Sequence, residues 1–287
     1  MGRTTFGVKV APMHVTYDEL LRVWRDADQA PELEHAWVFD HFYPIAGNEE
    51  GPCLEGWTVL TALATQTERL RVGSMVMGNT YRYPAVLANM AATLDIIANG
   101  RLEFGLGAGW HEAEHAAYGI PFGTAAERIN RLDEACQVCI KLWTEHRATF
   151  TGHYYQLTNA LCEPKPVQKP YPPIVIGGSG EKLTLRTVAR YADIWNCNSS
   201  GLDQFKHKSQ VLDEHCAREG RDPAAITRSI QMFANVDAPE QAREDVKGYL
   251  EAGVTHVIFY LRPPIAKNAV ARLVRDIVRP LREELGV

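Results

Sequence analysis

No stretch of this chain approaches the roughly 20 consecutive apolar residues that a membrane-spanning helix needs. Neither sign of charge dominates. Lys and Arg number 30 against 35 Asp and Glu, mixed along the chain, for a net charge of −5. A basic stripe of the kind that tracks a nucleic-acid backbone is therefore missing, and no nucleic-acid partner is expected. Cysteine is sparse: Cys53, Cys136, Cys139, Cys162, Cys197 and Cys216 are scattered over 287 residues, which is no disulfide framework. Cys136 and Cys139 form a CxxC inside the helical pattern "AAERINRLDEACQVCIKLW", with no second Cys or His pair at metal-site spacing, so they are expected to be small apolar fillers. There is no Gly/Ser tract to separate domains. The start, "MGRTTFGVKVAP", lacks an apolar run before a small-residue cleavage site and meets the myristoylation pattern only in part, so a cytoplasmic protein is expected.

What is present is an alternation. Hydrophobic residues make up 46% of the chain, enough for a large core. Short apolar runs rich in β-branched residues recur between helical patterns: "TFGVKVAP", "HAWVFDHF", "LRVGSMVM", "RLEFGLGAG", "PIVIGGSG", "DIWNCNSS", "ITRSIQMFANVD" and "THVIFYL". Each is followed by residues of helical periodicity. Thr16 is placed to cap "TYDELLRVWRDADQA", and Pro84 and Gly100 bracket "PAVLANMAATLDIIA". Runs that are apolar throughout, rather than alternating, are those of strands buried on both faces. Eight strand–helix units joined by right-handed crossovers close into an α/β (β/α)8 TIM barrel, read here as one domain over 1–287. Residues 146–173, which hold Pro164, Pro166, Pro170, Pro172 and Pro173, break the rhythm as an irregular insertion after the fourth unit, with a short hairpin through "ATFTGHYYQL". An open doubly wound sheet is the competing architecture, but no glycine fingerprint follows the first strand.

Reactive side chains in such barrels sit at the C-terminal ends of the strands. Those ends are Asp40–His41, Gly73 to Thr80, Gly105 to Trp110, Gly177 to Gly180 and Asn196 to Ser200, and they are rich in glycine and polar residues. Asp40 and His41 at a barrel mouth suit proton transfer; equally, they suit capping of the next segment. "GGSG" ahead of a helix suits either a phosphate, bound by successive N–H groups, or a tight turn that needs positive φ. His111 to His115 reads H-E-x-x-H, which would put two imidazoles on one helix face for zinc. No third ligand follows, and no metal is expected. Arg82 and Asp95 flank apolar stretches and fit an ion pair as well as any catalytic role.

Taken together, "FDHF", the long segment "LRVGSMVMGNTYRYPAVLANMAATLDIIANGRLEFGLGAGWHEAEHAAYGIPF", "RLDEACQVCIKLW", "PIVIGGSGEKLTLRTVARYAD" and "GVTHVIFYL" resemble the bacterial luciferase-like superfamily of flavin and deazaflavin enzymes. "GAGWxxxEH" is a routine segment there, which weakens the zinc reading further. The resemblance implies a planar tricyclic cofactor across the barrel mouth and a non-prolyl cis peptide at Met75–Val76 behind its ring. "DHF" and "TYRYPA" in a short chain look most like the branch dependent on the deazaflavin coenzyme F420, which would make the protein an oxidoreductase transferring a hydride to or from a small organic substrate. The alternatives are an FMN-dependent monooxygenase and a flavin-binding protein without turnover. The implied catalytic residues are His41 and Asp40. The implied cofactor contacts are Asp40, His41, Met75, Val76, Asn79, Gly107, Gly177, Gly178, Ser179 and Asn198. Sugar-phosphate-oxidising members carry a carboxylate near the position of Trp110, so glucose 6-phosphate is not an expected substrate. Because the family commonly pairs through barrel helices and "PAVLANMAATLDIIA" is apolar on more than one face, a homodimer is expected.

Overall fold

The structure, a computed structural model, describes residues 3–198 and 201–286; the strand-end residues Ser199 and Ser200 lie outside the described residues. The strands in chain order are β1 (Thr5–Lys9), β2 (His35–Val38), β3 (Arg71–Ser74), β4 (Met77–Gly78), β5 (Leu102–Gly107), β6 (Ala148–Thr151), β7 (Gln156–Ala160), β8 (Ile174–Gly177), β9 (Ile194–Cys197), β10 (Thr227–Phe233) and β11 (His256–Tyr260). All barrel pairings are parallel. The order β3-β2-β1-β11-β10-β9-β8-β5 is closed by β3 against β5, which makes a barrel. The third barrel position is one strand in two pieces, β3 and β4, broken by a cis Met75–Val76 peptide. The eight-unit alternation in the sequence thus becomes a TIM barrel, as expected.

The strand patterning follows from closure. Phe6, Val8, Ala36, Val38, Phe104, Ile176 and Phe259 face outward into the main core between strands and helices, while Trp37, Met75, Val175, Ile194 and Ile258 form a separate apolar cluster. Successive strand side chains point to opposite faces, so the second cluster fills the barrel interior. The helices start as the sequence indicates. Thr16 accepts from Glu19 N (3.2 Å) while Glu19 accepts from Thr16 N (2.8 Å), a reciprocal cap for Tyr17–Asp28. Thr124 and Glu127 repeat it for Ala125–Thr144. Cys136 and Cys139 on that helix are buried free thiols, and burial pushes both thiols up, away from thiolate chemistry.

The expected hairpin is β6–β7, antiparallel. Glu134 fastens its turn by accepting from the N–H groups of His153 (2.7 Å), Tyr154 (2.8 Å) and Tyr155 (3.1 Å). Asp95 and Arg82 do not pair with each other. Asp95 accepts from Gln168 N (2.9 Å) and Nε2 (2.7 Å), which pins the insertion against the helix Pro84–Ile97. Among the described residues, no helix is long and apolar enough to cross a membrane.

Candidate active site

The glycines at the strand ends have a steric cause. A Cβ on Gly105 would lie 1.8 Å from the Ser74 carbonyl oxygen, and one on Gly107 would lie 2.6 Å from Val76 Cγ2. A Cβ on Gly177 would be 3.3 Å from the same methyl. The broken third strand pushes its backbone and the Val76 side chain toward β5 and β8, and only strands without side chains at these positions admit it. The result is a wall, Met75 to Gly78, along one side of a cavity of about 300 Å³ at the C-terminal ends of the strands. That volume is at the lower end of the range for small-molecule sites.

Of the expected site residues, Asp40, His41, Met75, Val76, Gly107, Gly177, Gly178 and Asn198 line this cavity. Asn79 and Ser179 do not. Asn79 is buried, donates to Tyr155 Oη (3.2 Å) and ties its backbone to Gly107 O (2.8 Å), so it joins the wall to the hairpin. Ser179 donates to Asn198 Oδ1 (2.7 Å), linking the loop after β8 to the end of β9. Gly178 has φ of +123°, so the turn needs glycine whether or not an anion binds there.

Asp40 and His41 follow β2 yet occupy different settings. The Asp40 carboxylate is held in a fork by Arg82, with 2.7 Å and 3.0 Å bonds, and accepts from Gly78 N at 2.9 Å. Arg82 also pairs with Glu55, the cap of the helix Gly56–Ala64. Asp40 therefore fastens the far end of the wall. His41 is bonded through Nδ1 to Glu114 Oε2 at 2.7 Å. A carboxylate there accepts from Nδ1–H and leaves Nε2 as the ring's other nitrogen, turned away from Glu114.

Glu114 is the member of the candidate site that the sequence alone did not bring out. It is fully buried and also accepts from Tyr81 Oη (2.5 Å), Phe42 N (2.6 Å) and Tyr43 N (3.3 Å). Burial opposes its ionisation, but the bonds from His41, Tyr81 and the Phe42 N–H prevail and hold the carboxyl at about 2. The same network pushes the Tyr81 phenol up, burial first and Glu114 second. The one signal of it in the chain is the fourth residue of "HEAEH". His111 and His115 do not share a ligand face: His115 bonds Thr80 Oγ1 (2.7 Å) and His111 O (2.8 Å), while His111 caps its helix by accepting from Glu114 N (3.4 Å). Among the described residues no His, Cys, Asp or Glu cluster could hold a metal ion.

Glu114 gives a pH prediction. Its folded-state pKa lies below the unfolded value of 4.5, so its ionised form stabilises the fold above that value and loses its contribution as pH falls toward about 2. Glu114→Gln should lower the urea midpoint at pH 7, and the gap to the natural protein should shrink steadily below pH 4.5. A gap that stays constant down to pH 3 would show that the carboxylate charge contributes nothing.

The luciferase-like monooxygenase family model matches residues 4–278. An F420-dependent glucose-6-phosphate dehydrogenase of Kineococcus radiotolerans is 33% identical over 235 residues, covering 80% of this chain and 68% of that one. An F420-dependent hydroxymycolic acid dehydrogenase of Mycobacterium tuberculosis is 32% identical over 234 residues, covering 80% and 63%. The fold is shared with an F420-dependent secondary alcohol dehydrogenase solved with an F420–acetone adduct (TM-score 0.86, 18% identity, 98% and 99% of the chains). It is shared also with a long-chain alkane monooxygenase (TM-score 0.83, 12% identity, 100% and 92%). With a match that runs almost end to end and a barrel broken at the same third strand that the resemblance marks, the chain belongs to the luciferase-like monooxygenase family.

Proposed function

We propose that this protein is a coenzyme F420-dependent oxidoreductase acting on a small organic alcohol or the matching carbonyl compound. The observation that carries the reading is the cavity itself: the Met75–Val76 wall and an imidazole held in one tautomer by a buried carboxylate line the same space. The dehydrogenase names of relatives near one-third identity support the choice of cofactor. When bound, the deazaflavin supplies two-electron hydride chemistry. The protein's part is to hold the ring against the wall, to exclude water and to move one proton. His41 Nε2 accepts that proton from a substrate hydroxyl in the oxidising direction and returns it in the reducing direction. Glu114 stabilises the imidazolium so formed. Asp40, occupied by Arg82 and Gly78 N, acts as a positioning residue in this scheme. Trp110, 61% exposed at the rim, stands where sugar-phosphate-oxidising members are expected to carry a carboxylate, and we place glucose 6-phosphate outside the substrate range.

Calorimetry with coenzyme F420 and with FMN tests the reading. Tight F420 binding is expected, and tight FMN binding with none for F420 overturns it. The loop Gly177 to Gly180 is proposed to take the cofactor phosphate at its N–H groups. Gly178→Ala measures the cost of the positive φ and of a Cβ 3.1 Å from Thr184 Cγ2, and Gly178→Asp adds the charge. Aspartate should weaken binding at least about tenfold beyond alanine, or 1.4 kcal/mol. Equal affinities for the two variants would put the phosphate elsewhere.

A cytoplasmic homodimer completes the proposal. Val86 and Ile97 on the helix Pro84–Ile97 are 57% and 45% exposed, and Tyr83 and Leu161 beside it are 51% and 50% exposed. An apolar patch of this kind marks an association surface. Light scattering at micromolar concentration should give twice the 32.1 kDa of one chain, and a monomer mass would count against it.

A further inference from the structure

At the N-terminal end of the barrel, away from the cavity, inward positions on four strands are polar and buried: His35, Glu103, Ser229 and His256. The two imidazoles stack with centroids 3.8 Å apart. Glu103 Oε1 accepts from Arg71 Nε at 2.5 Å, while Glu103 Oε2 lies 3.7 Å from His256 Nε2. Neither of those last two atoms has a hydrogen-bond partner, which is uncommon for buried polar atoms. On the other side of the ring, His256 Nδ1 is 2.8 Å from Ser229 Oγ, and Ser229 Oγ accepts from Asn196 Nδ2 at 2.8 Å. Asn196 is buried and lines the cavity. A column of polar contacts therefore runs from the barrel floor to the candidate active site.

The column has a direction. A serine hydroxyl has one hydrogen to give. Glu103 Oε2 lies on the Nε2 side of His256, and a carboxylate there favours the proton on Nε2; Nδ1 is then bare and takes the Ser229 hydrogen, while Ser229 Oγ accepts from Asn196 Nδ2. A neutral His256 then carries its proton on Nε2, facing Glu103. Burial opposes ionisation of Glu103, but His256 and Arg71 keep its carboxyl below the ordinary range. The reverse arrangement would aim a bare Nε2 at a carboxylate oxygen and free the Ser229 hydrogen to go to Asn196 Oδ1, which no longer fixes the amide with its oxygen toward the cavity.

We propose that Arg71, Glu103, His256, Ser229 and Asn196 form a polarity relay that holds Asn196 Oδ1 toward the cavity as an acceptor, selecting a ligand that donates an imide N–H. In the cofactor reading above, on which the ligand's identity rests, that donor is the N3–H of the deazaflavin pyrimidinedione ring. Glu103, His256 and Ser229 touch no ligand; they are positioning residues that act through Asn196.

The test crosses ligand with variant. Calorimetry compares oxidised F420 with its N3-methyl derivative on the natural protein, Ser229→Ala and Glu103→Gln, each checked for folding by its melting curve. Methylation should weaken binding to the natural protein about tenfold, the scale of one lost hydrogen bond to a neutral acceptor. The variants should bind the parent cofactor more weakly and lose little on methylation. The same loss on methylation in all three proteins overturns the relay. Nitrogen-15 NMR of the protein without cofactor decides it independently, with His256 identified by the signals lost in His256→Gln. The natural protein should show His256 protonated at Nε2 with bare Nδ1, and Glu103→Gln should relax that preference. An Nδ1–H tautomer in the natural protein overturns the relay whether or not the cofactor binds. No F420 binding by the natural protein counts against the cofactor reading alone, and the tautomer seen by NMR then decides whether the relay stands.

Discussion

Replacing His41 with alanine should cut turnover by about 10²–10⁴-fold, the usual contribution of a positioned acid–base group, and leave the melting temperature within a few degrees. The stability half of this expectation comes from Glu114. Removing the imidazole costs the carboxylate one donor, but Tyr81 Oη and the N–H groups of Phe42 and Tyr43 still satisfy it. The buried charge is not abandoned, and that is the condition for a modest cost. The kinetic half comes from the fixed tautomer. With Nδ1 held by Glu114, His41 differs from the other imidazoles of the site: His111 accepts at Nδ1 from Glu114 N, so its neutral ring carries its hydrogen on Nε2, and both nitrogens of His115 are bonded. Steady-state kinetics at saturating cofactor and calorimetry together decide the role. A large loss of cofactor affinity with normal turnover at saturation would make His41 a ligand and not a proton carrier.

Gly105→Ala should destabilise the protein by about 3 kcal/mol or more, at or beyond the upper end for inserting one methyl into a packed site. The clash is with backbone: the new Cβ would sit 1.8 Å from the Ser74 carbonyl oxygen, so no rotamer change relieves it. In a chain of this size that corresponds to a melting temperature lower by roughly 6–12 °C. Gly107→Ala makes the contrast, because its Cβ meets the Val76 side chain at 2.6 Å. Val76→Ala should rescue Gly107→Ala and not Gly105→Ala, and thermal melts of the two double variants give the coupling directly. Equal rescue of both would show that the wall is not held by backbone contact with β5.

Both expectations concern residues that the sequence marks, for reasons that it does not contain. "GLGAG" and "GGSG" stand out as glycine-rich strand ends. By themselves they invite a ligand that approaches the backbone. In the structure Gly105, Gly107 and Gly177 first make room for the broken third strand, and the cavity wall is the consequence. "HEAEH" stands out as a metal pattern. In the fold its second glutamate meets His41, 73 residues earlier, instead of completing a ligand set. Arg82, readable only as a charge beside an apolar run, clamps Asp40, 42 residues before it.

The architecture was legible in the chain before any fold was in view. Eight apolar runs, each followed by a helical pattern, specify strands buried on both faces, and the place where their ends gather follows from closure. Those signals are local: a strand or helix period and a capping residue are set by neighbours within a turn or a strand pair. The chemistry of the mouth came from folding alone. Closure of the barrel chose Glu114 as the partner of His41, gave Asp40 to Arg82, and ran a polar column from Glu103 to Asn196. Such pairs are made by residues on different strands and loops, far apart in the chain. Hydrogen-bond directions and ionisation depend on distances of a few ångströms, which no spacing along the chain encodes.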